Sequence, residues 1–160
     1  MPTQPLDVYR AAVQADWIDF NGHMNVAYYV LVFDKATDAL FDLLGVGEAY
    51  RRETGRTCYA LEGHVTWQAE LKLGERVAVE TRLVDADEKR LHVFHRMLRE
   101  ADGALAATHE LLFLHVDQAA GPRSARFAEP ARARIAALLA EHAAFPPAAG
   151  ETGRRITLRR

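Results

Sequence analysis

One long helical period, followed by a run of strand periods joined by short turns, limits this chain to few architectures. Between residues 26 and 44, apolar side chains recur every three or four positions: Val26, Tyr29, Val30, Phe33, Thr37, Leu40, Phe41 and Leu44. That spacing predicts a helix of about five turns with one apolar face. From residue 57 the period changes to two. Residues 57–69 set Tyr59, Leu61, Val65 and Trp67 against Glu62, His64, Thr66 and Gln68. Residues 76–85 set Val77, Val79, Thr81 and Leu83 against Ala78, Glu80 and Arg82. Residues 90–100 and 104–117 read as two further strands, with a tight turn at Ala101-Asp102-Gly103 and its Asp-Gly hairpin signal. A helix with one apolar face buries it against the surface on offer. Strands joined by hairpins offer one curved antiparallel sheet, so the expected class is a two-layer α+β domain.

The remaining segments fill in that frame. Residues 8–15 read as a first strand, and Gly45 as the stop of the long helix. Gly47 to Thr54 reads as a short helix closed by Gly55, and Leu73-Gly74-Glu75 as a turn. Residues 85–89 form a polar hairpin loop. Leu111-Leu112-Phe113-Leu114 is apolar on both faces, as in a central strand covered on both sides. Past Gly121-Pro122 the chain reads as loop, then as an alanine-rich helix from Glu129 to His142. Pro146-Pro147 opens what reads as a flexible tail. The expected organisation is one domain over residues 1–145 and a tail over 146–160.

Composition excludes more than it selects. With 160 residues, 49% hydrophobic and 26% charged, the chain is an ordinary globular domain with room for a core. A net charge of −2 gives no reason to expect nucleic acid. The one basic cluster, Arg154, Arg155, Arg159 and Arg160, reads as a solvated tail. No apolar run approaches the roughly 20 residues of a membrane span, and Met1 to Asp7 shows no secretory pattern. The single cysteine, Cys58, excludes an internal disulfide, fits a reducing cytoplasm and reads as a small buried hydrophobe rather than a nucleophile. His92 and His95 fall on opposite strand faces, and His109 and His115 stand roughly 20 Å apart along a strand. No metal-ligand spacing results.

Chemistry concentrates at Asp16-Trp17-Ile18-Asp19-Phe20-Asn21-Gly22-His23-Met24-Asn25, directly before the long helix. The first N–H groups of a helix have no acceptor within it and carry partial positive charge, which suits an anion or a developing oxyanion. Asn25 is a good N-cap, Gly22 permits a tight turn, and Asp16 and Asp19 fit a turn as well as a catalytic role. The number of polar groups exceeds what a cap needs.

The run Asp19-Phe20-Asn21-Gly22-His23-Met24-Asn25, with Tyr28-Tyr29 behind it, resembles the hotdog-fold acyl-CoA thioesterases of the 4-hydroxybenzoyl-CoA thioesterase type. The likeness covers residues 7 to 120 or so. A closer pattern is similar to thioesterases of bacterial carnitine breakdown that act on betainyl-CoA: Ala27-Tyr28-Tyr29-Val30, Phe33-Asp34-Lys35-Ala36-Thr37-Asp38, Tyr59-Ala60-Leu61-Glu62-Gly63-His64-Val65 and Lys89-Arg90-Leu91-His92-Val93-Phe94-His95. The resemblance implies a long central helix wrapped by a five-stranded antiparallel sheet. It also implies a homodimer, or a tetramer of dimers, with the active site at the subunit interface.

By its place three residues before the glycine of the turn, Asp19 matches the family's catalytic carboxylate, and Val26 supplies the backbone N–H that polarises the thioester. His23 and Asn25 have no counterpart in the aromatic-substrate branch, so their roles follow from chemistry: His23 can bond Asp19 or the leaving thiol, and Asn21 and Asn25 can orient water or the carbonyl. Trp17, Tyr28, Tyr59 and Trp67 are the aromatic candidates for the acyl pocket, where faces suit a trimethylammonium group. Glu62 and His64, sharing one strand face, are further substrate candidates. Lys89, Arg90 and Arg96 are the candidates for the phosphates of coenzyme A, which enters as part of the substrate; no other cofactor and no metal is expected. Hydrolysis of betainyl-CoA is the leading expectation. Another short or aromatic acyl-CoA, an acyl-CoA hydratase or dehydratase on the same fold, and a catalytically silent acyl-CoA binder are the alternatives.

Overall fold

The computed structural model describes residues 5–158; Arg159 and Arg160 of the basic cluster, and Met1 to Gln4, lie outside them. The long helix α1 spans Val26–Leu44. Asn25 caps it, its side-chain oxygen accepting the Ala27 N–H at 3.0 Å, and Gly45 ends it in the left-handed region at φ 76°. A short helix α2 follows at Glu48–Thr54. The strands are β1 (Leu6–Ala12), β2 (Arg56–Trp67), β3 (Arg76–Ala86), β4 (Arg90–Arg99) and β5 (Leu105–Asp117). All pairings are antiparallel in the order β1-β3-β4-β5-β2, and a two-residue strand β6 (Arg123–Ser124) pairs with β5. Helix α3 (Ala131–His142) closes the domain. The α+β arrangement of one helix in one curved sheet agrees with expectation.

Two apolar layers hold α1 in the sheet. Near its start, Tyr29, Val32, Phe33 and Ala36 pack on Val77, Val79, Met97, Ala106 and Ala107. Toward its end, Leu40, Phe41 and Leu44 pack on Leu83, Leu91, Val93, Leu111 and Phe113, with Ile135 and Leu138 of α3 completing the layer. Strand β1 pairs with β3 only as far as Thr81. The backbone N–H of Leu83 would then lack a partner, and His142 of α3 accepts it through Nδ1 at 2.9 Å.

Several expectations change. The first strand, read over residues 8–15, runs from Leu6 to Ala12, so residues 13–15 leave it, and Ala15–Trp17 form a single 3₁₀ turn that carries the chain to the helix. Val26 and Val30, read as part of the buried helix face, are 54% and 38% exposed on one flank of α1, because the single sheet does not reach around to them. In β2 the pairing with β5 skips Leu61, a bulge that reverses the alternation. Ala60, Gly63, Val65 and Trp67 stand opposite Phe113, Leu111, His109 and Ala107 and so face α1. Tyr59, Glu62, His64 and Thr66 stand opposite Leu114, Leu112, Glu110 and Thr108 and so face outward. Finally, the segment after Pro147 is not loose. Ala148 N–H bonds the Glu151 carboxylate, Glu151 approaches Arg96 at 3.3 Å, and Gly153 N–H bonds the Glu110 carboxylate at 2.9 Å. Nonlocal charge holds this strap on the outer face of the sheet.

Strand β5 is internal, as read, but covered on one side: Leu111 and Phe113 are buried against the helices, while Leu112 and Leu114 remain partly exposed outward. Cys58 packs at the edge of the second apolar layer, and burial pushes its thiol up to about 12, so it stays protonated.

The core also contains a polar line. Thr37 donates its hydroxyl proton to the Phe33 carbonyl at 3.0 Å, so it must accept from His95 Nε2, also at 3.0 Å. His95 Nδ1 then accepts from the Thr81 hydroxyl at 2.8 Å. This fixes His95 as the neutral Nε2–H tautomer, with no solvent exposure. Burial lowers its pKa to about 3, and burial lowers that of His109 to about 4. Both groups are neutral when folded and take a proton more readily when unfolded. Stability is therefore full above the unfolded value near 6.5 and falls as pH drops toward the folded values. At pH 5 each histidine is expected to cost about 2 kcal/mol. Denaturant melts at pH 7.5 and pH 5 test this; equal stabilities at the two pH values would contradict it.

Candidate active site

The polar segment before α1 folds as a small closed loop. Ile18 and Met24 form an isolated antiparallel bridge, Asp19 N–H bonds the His23 carbonyl at 3.1 Å, and Gly22 N–H bonds the Asp19 carbonyl at 2.9 Å. Gly22 sits at φ 79°, a conformation that a side chain would strain. The loop is tied to the body by Met24 N–H on the Leu71 carbonyl at 2.8 Å and Asn25 N–H on the Trp17 carbonyl at 2.9 Å. Phe20, at its tip, is 97% exposed.

This closure aims Asp19 at the helix start. One carboxylate oxygen accepts the Asn21 N–H at 2.9 Å; the other accepts Asn25 Nδ2 at 3.1 Å. The same Asn25 side chain caps the helix through its oxygen. One carboxamide thus links the carboxylate to the first turn, where the Val26 N–H has no acceptor four residues earlier within the helix. Trp17 stacks on Tyr28 with ring centroids 5.5 Å apart, fixing the loop against the first turn of α1.

Beside the helix start is an open cavity of about 250 Å³, walled by His23, Met24, Val26, Tyr29 and Trp67 and by Gln68 to Glu70. The structure brings together Trp17, Asp19, Asn21, His23, Asn25, Val26, Tyr28 and Trp67. His23 does not reach Asp19; its Nε2 lies 2.9 Å from Glu70, a residue that no local pattern along the chain marks. The Tyr29 hydroxyl donates to the Ala69 carbonyl at 3.1 Å, and burial raises its pKa, so it is a neutral wall rather than an acid.

Other candidates lie apart from this cluster. Tyr59 is at the opposite half of β2, where its hydroxyl accepts from Gln118. Glu62 and His64 face outward, lining a larger cavity of about 510 Å³ between the sheet and the C-terminal strap, together with Asp85, Arg90, His92 and Glu110. Arg90 is held by Asp87 and Arg96 by Glu80, at 2.7 and 3.1 Å. Lys89 reaches only Ser124, at 3.3 Å, and has no carboxylate partner among the described residues. Among those residues no group of three His, Cys, Asp or Glu side chains is placed to hold a metal, and no helix is long and apolar enough to cross a membrane.

Comparison with known proteins gives the site its context. The family model for the thioesterase-like superfamily matches residues 13–151. A betainyl-CoA thioesterase of Pseudomonas aeruginosa is 40% identical over 156 residues, covering 98% of this chain and 97% of that protein. An L-carnitine dehydrogenase/betainyl-CoA thioesterase of Agrobacterium fabrum is 44% identical over 113 residues, 71% of this chain but only 23% of that larger protein. The structure of the hypothetical protein SAV2348 from Staphylococcus aureus in complex with CoA superposes with a TM-score of 0.87 at 29% identity, covering 98% of this chain and 97% of that one. A match over nearly the whole chain, in sequence and in fold, places the protein in the thioesterase-like superfamily, as a hotdog-fold thioester hydrolase.

Proposed function

We propose that the chain hydrolyses betainyl-CoA to the free acid and CoA, with Asp19 as the reacting carboxylate. One observation carries the mechanism: Asp19 is held by Asn21 N–H and Asn25 Nδ2 beside the first turn of α1, where the Val26 N–H has no acceptor within the helix. A thioester carbonyl set against Val26 N–H would be polarised by the helix end, and that end would stabilise the oxyanion. Asp19 then attacks the carbonyl to give a mixed anhydride that water opens, or deprotonates water for direct attack. Either route expels CoA as the thiol and uses Asp19 as its carboxylate. Neither route calls on a metal or a further cofactor.

The choice of acyl group rests on the relatives in which betainyl-CoA is named as substrate, and on the aromatic rings and Glu70 at the loop. Trimethylammonium donates no strong hydrogen bond and is recognised by aromatic faces and negative potential. The exposed half of Trp67 and the acid at Glu70 both line the motif cavity.

The reading includes a homodimer in the cytoplasm. Strand β2 pairs with β5 along one edge and is otherwise the end of the sheet. Leu61 is 54% and Trp67 48% exposed there, and the bare flank of α1 at Val26 and Val30 adds to the apolar surface. A long apolar edge strand invites a second strand, and closing it would enclose the open motif cavity.

Three outcomes are expected. Asp19→Asn keeps the shape of the loop and loses turnover by several orders of magnitude; thioester cleavage followed by free-thiol release within tenfold of wild type would remove Asp19 from the mechanism. Asn25→Ala loses both the cap and the carboxylate contact, so it should cost about 1 kcal/mol of stability together with a larger loss of kcat than of substrate binding. Unchanged kcat in a correctly folded variant would separate capping from catalysis. Replacing the quaternary nitrogen of the substrate by carbon should lower kcat/KM roughly thirtyfold, the equivalent of about 2 kcal/mol of desolvated cation–π attraction; equal values for the two esters would reject a cation pocket.

A further inference from the structure

We infer that two copies of this chain join β2 to β2 in a single register, with Gly63 on the two-fold axis and Glu62 of each copy against His64 of the other. This rests on the dimer proposed above and adds how its seam is built.

Two identical strands related by a two-fold axis run antiparallel, and if residue i meets residue j, then j meets i. Their faces must also match, since side chains alternate across a sheet. The outward set of β2 is Tyr59, Glu62, His64 and Thr66, and the helix-side set is Ala60, Gly63, Val65 and Trp67. Centred on Tyr59 or Ala60, the ladder would run past Arg56, the first residue of β2, and leave Trp67 without a partner. Of the registers centred near the strand's middle that keep Trp67 paired, three satisfy both conditions. Centring on Glu62 opposes two carboxylates, which destabilises a strand pair. Centring on His64 opposes two imidazoles and leaves each Glu62 facing Thr66. Centring on Gly63 makes two Glu62–His64 pairs, one on each side of the axis.

Three features of the chain fit the third register. Glu62 and His64 make no hydrogen bond or ion pair among the described residues, whereas the adjacent outward pair His92 and Glu110 meet at 2.8 Å. Beyond the bulge at Leu61, Ala60 comes opposite Val65 and Cys58 opposite Trp67, so apolar helix-side residues meet apolar ones and the exposed half of Trp67 is covered. Gly63 on the axis carries no side chain where the two strands are most crowded. A Cβ there would already lie 2.9 Å from His109 Nε2 and 3.3 Å from Leu111 Cδ2. The outer cavity, walled by Glu62 and His64, then opens onto the seam and faces its symmetry mate.

The test mixes two single variants. Glu62→Lys alone sets lysine against histidine, and His64→Glu alone sets glutamate against glutamate. The mixed dimer has one native Glu62–His64 contact and one contact between the introduced lysine and the introduced glutamate. After exchange, native mass spectrometry should show the mixed dimer rising from the statistical half to roughly four fifths or more of all dimers, given the usual strength of cross-strand charge pairs. The double variant E62K/H64E should restore the dimer dissociation constant lost by His64→Glu. A cross-link reads the register without relying on energetics. Chains carrying Glu62→Cys, oxidised with chains carrying His64→Cys, should form the mixed disulfide, since directly opposite strand residues meet the Cα separation a disulfide needs. Self-linked 62–62 or 64–64 products, or statistical mixing of the charge variants, would overturn the register while leaving the dimer standing. A wild-type mass equal to the 17.9 kDa chain would overturn both.

Discussion

The structure depends on an imbalance: α1 carries more apolar surface than one sheet of one chain covers. The side toward the sheet is sealed at Phe33, Ala36 and Leu40, which have no exposure. Its flank at Val26 and Val30 is not sealed. Neither is β2, the strand nearest that flank at its Trp67 end. Each fully buried side chain of this size contributes about 1.5–3 kcal/mol, so an open flank and an open edge together are a large unsatisfied term. The same geometry leaves the motif cavity without a wall. In the proposed dimer, stability and catalysis call for the same missing surface, and a second copy would supply it with a matching edge.

Within one chain, the candidate catalytic loop is built by using the Asn25 and Asp19 side chains twice each. Asn25 ends the loop, caps the helix with its oxygen and holds Asp19 with its nitrogen. Capping forces Asn25 into an extended backbone, and that conformation carries its side chain back toward Asp19. Asp19 in turn bonds Asn21 across the turn that Gly22 permits. A carboxylate positioned this way loses little freedom when substrate arrives, which is the condition for orientation to lower a barrier. His23, turned aside to Glu70, is spent on anchoring the loop to the segment after β2.

The parts legible in the sequence are those set by local rules. The cap at Asn25, the stop at Gly45, the Asp-Gly hairpin and the helix and strand periods all act over a few residues, and the family likeness then orients them. What escapes reading is nonlocal. The bulge at Leu61 has no signature of its own, yet it moves Tyr59 to the face opposite Trp67 and separates two aromatics that read as one pocket. Periodicity cannot say whether an apolar helix position meets its own sheet or another molecule, so Val26 and Val30 read as core. The strap after Pro147 is held by Arg96 and Glu110, far away in sequence, and Pro146-Pro147 reads only as a break. Glu70 carries no signal because it sits in the irregular segment after β2, and only the fold brings it to His23.

The polar line through the core sharpens this contrast. His95 is matched at both nitrogens by Thr37 and Thr81, which joins the helix to the sheet by a directional contact in an otherwise apolar interface. A hydrogen-bonded pair of this kind admits one rotation and one height of α1 over β3 and β4, where packing of Leu and Phe alone tolerates several. One strand away, His109 is buried to 8% exposure with its Nδ1 unpartnered, against Phe33 on one side and Gly63 on the other. An unsatisfied buried nitrogen costs roughly 1–3 kcal/mol, and it occurs beside β2, one of the two edge strands of the sheet. The satisfied histidine sets the helix in the sheet. The unsatisfied one lies next to β2, the edge that the proposed second copy would close.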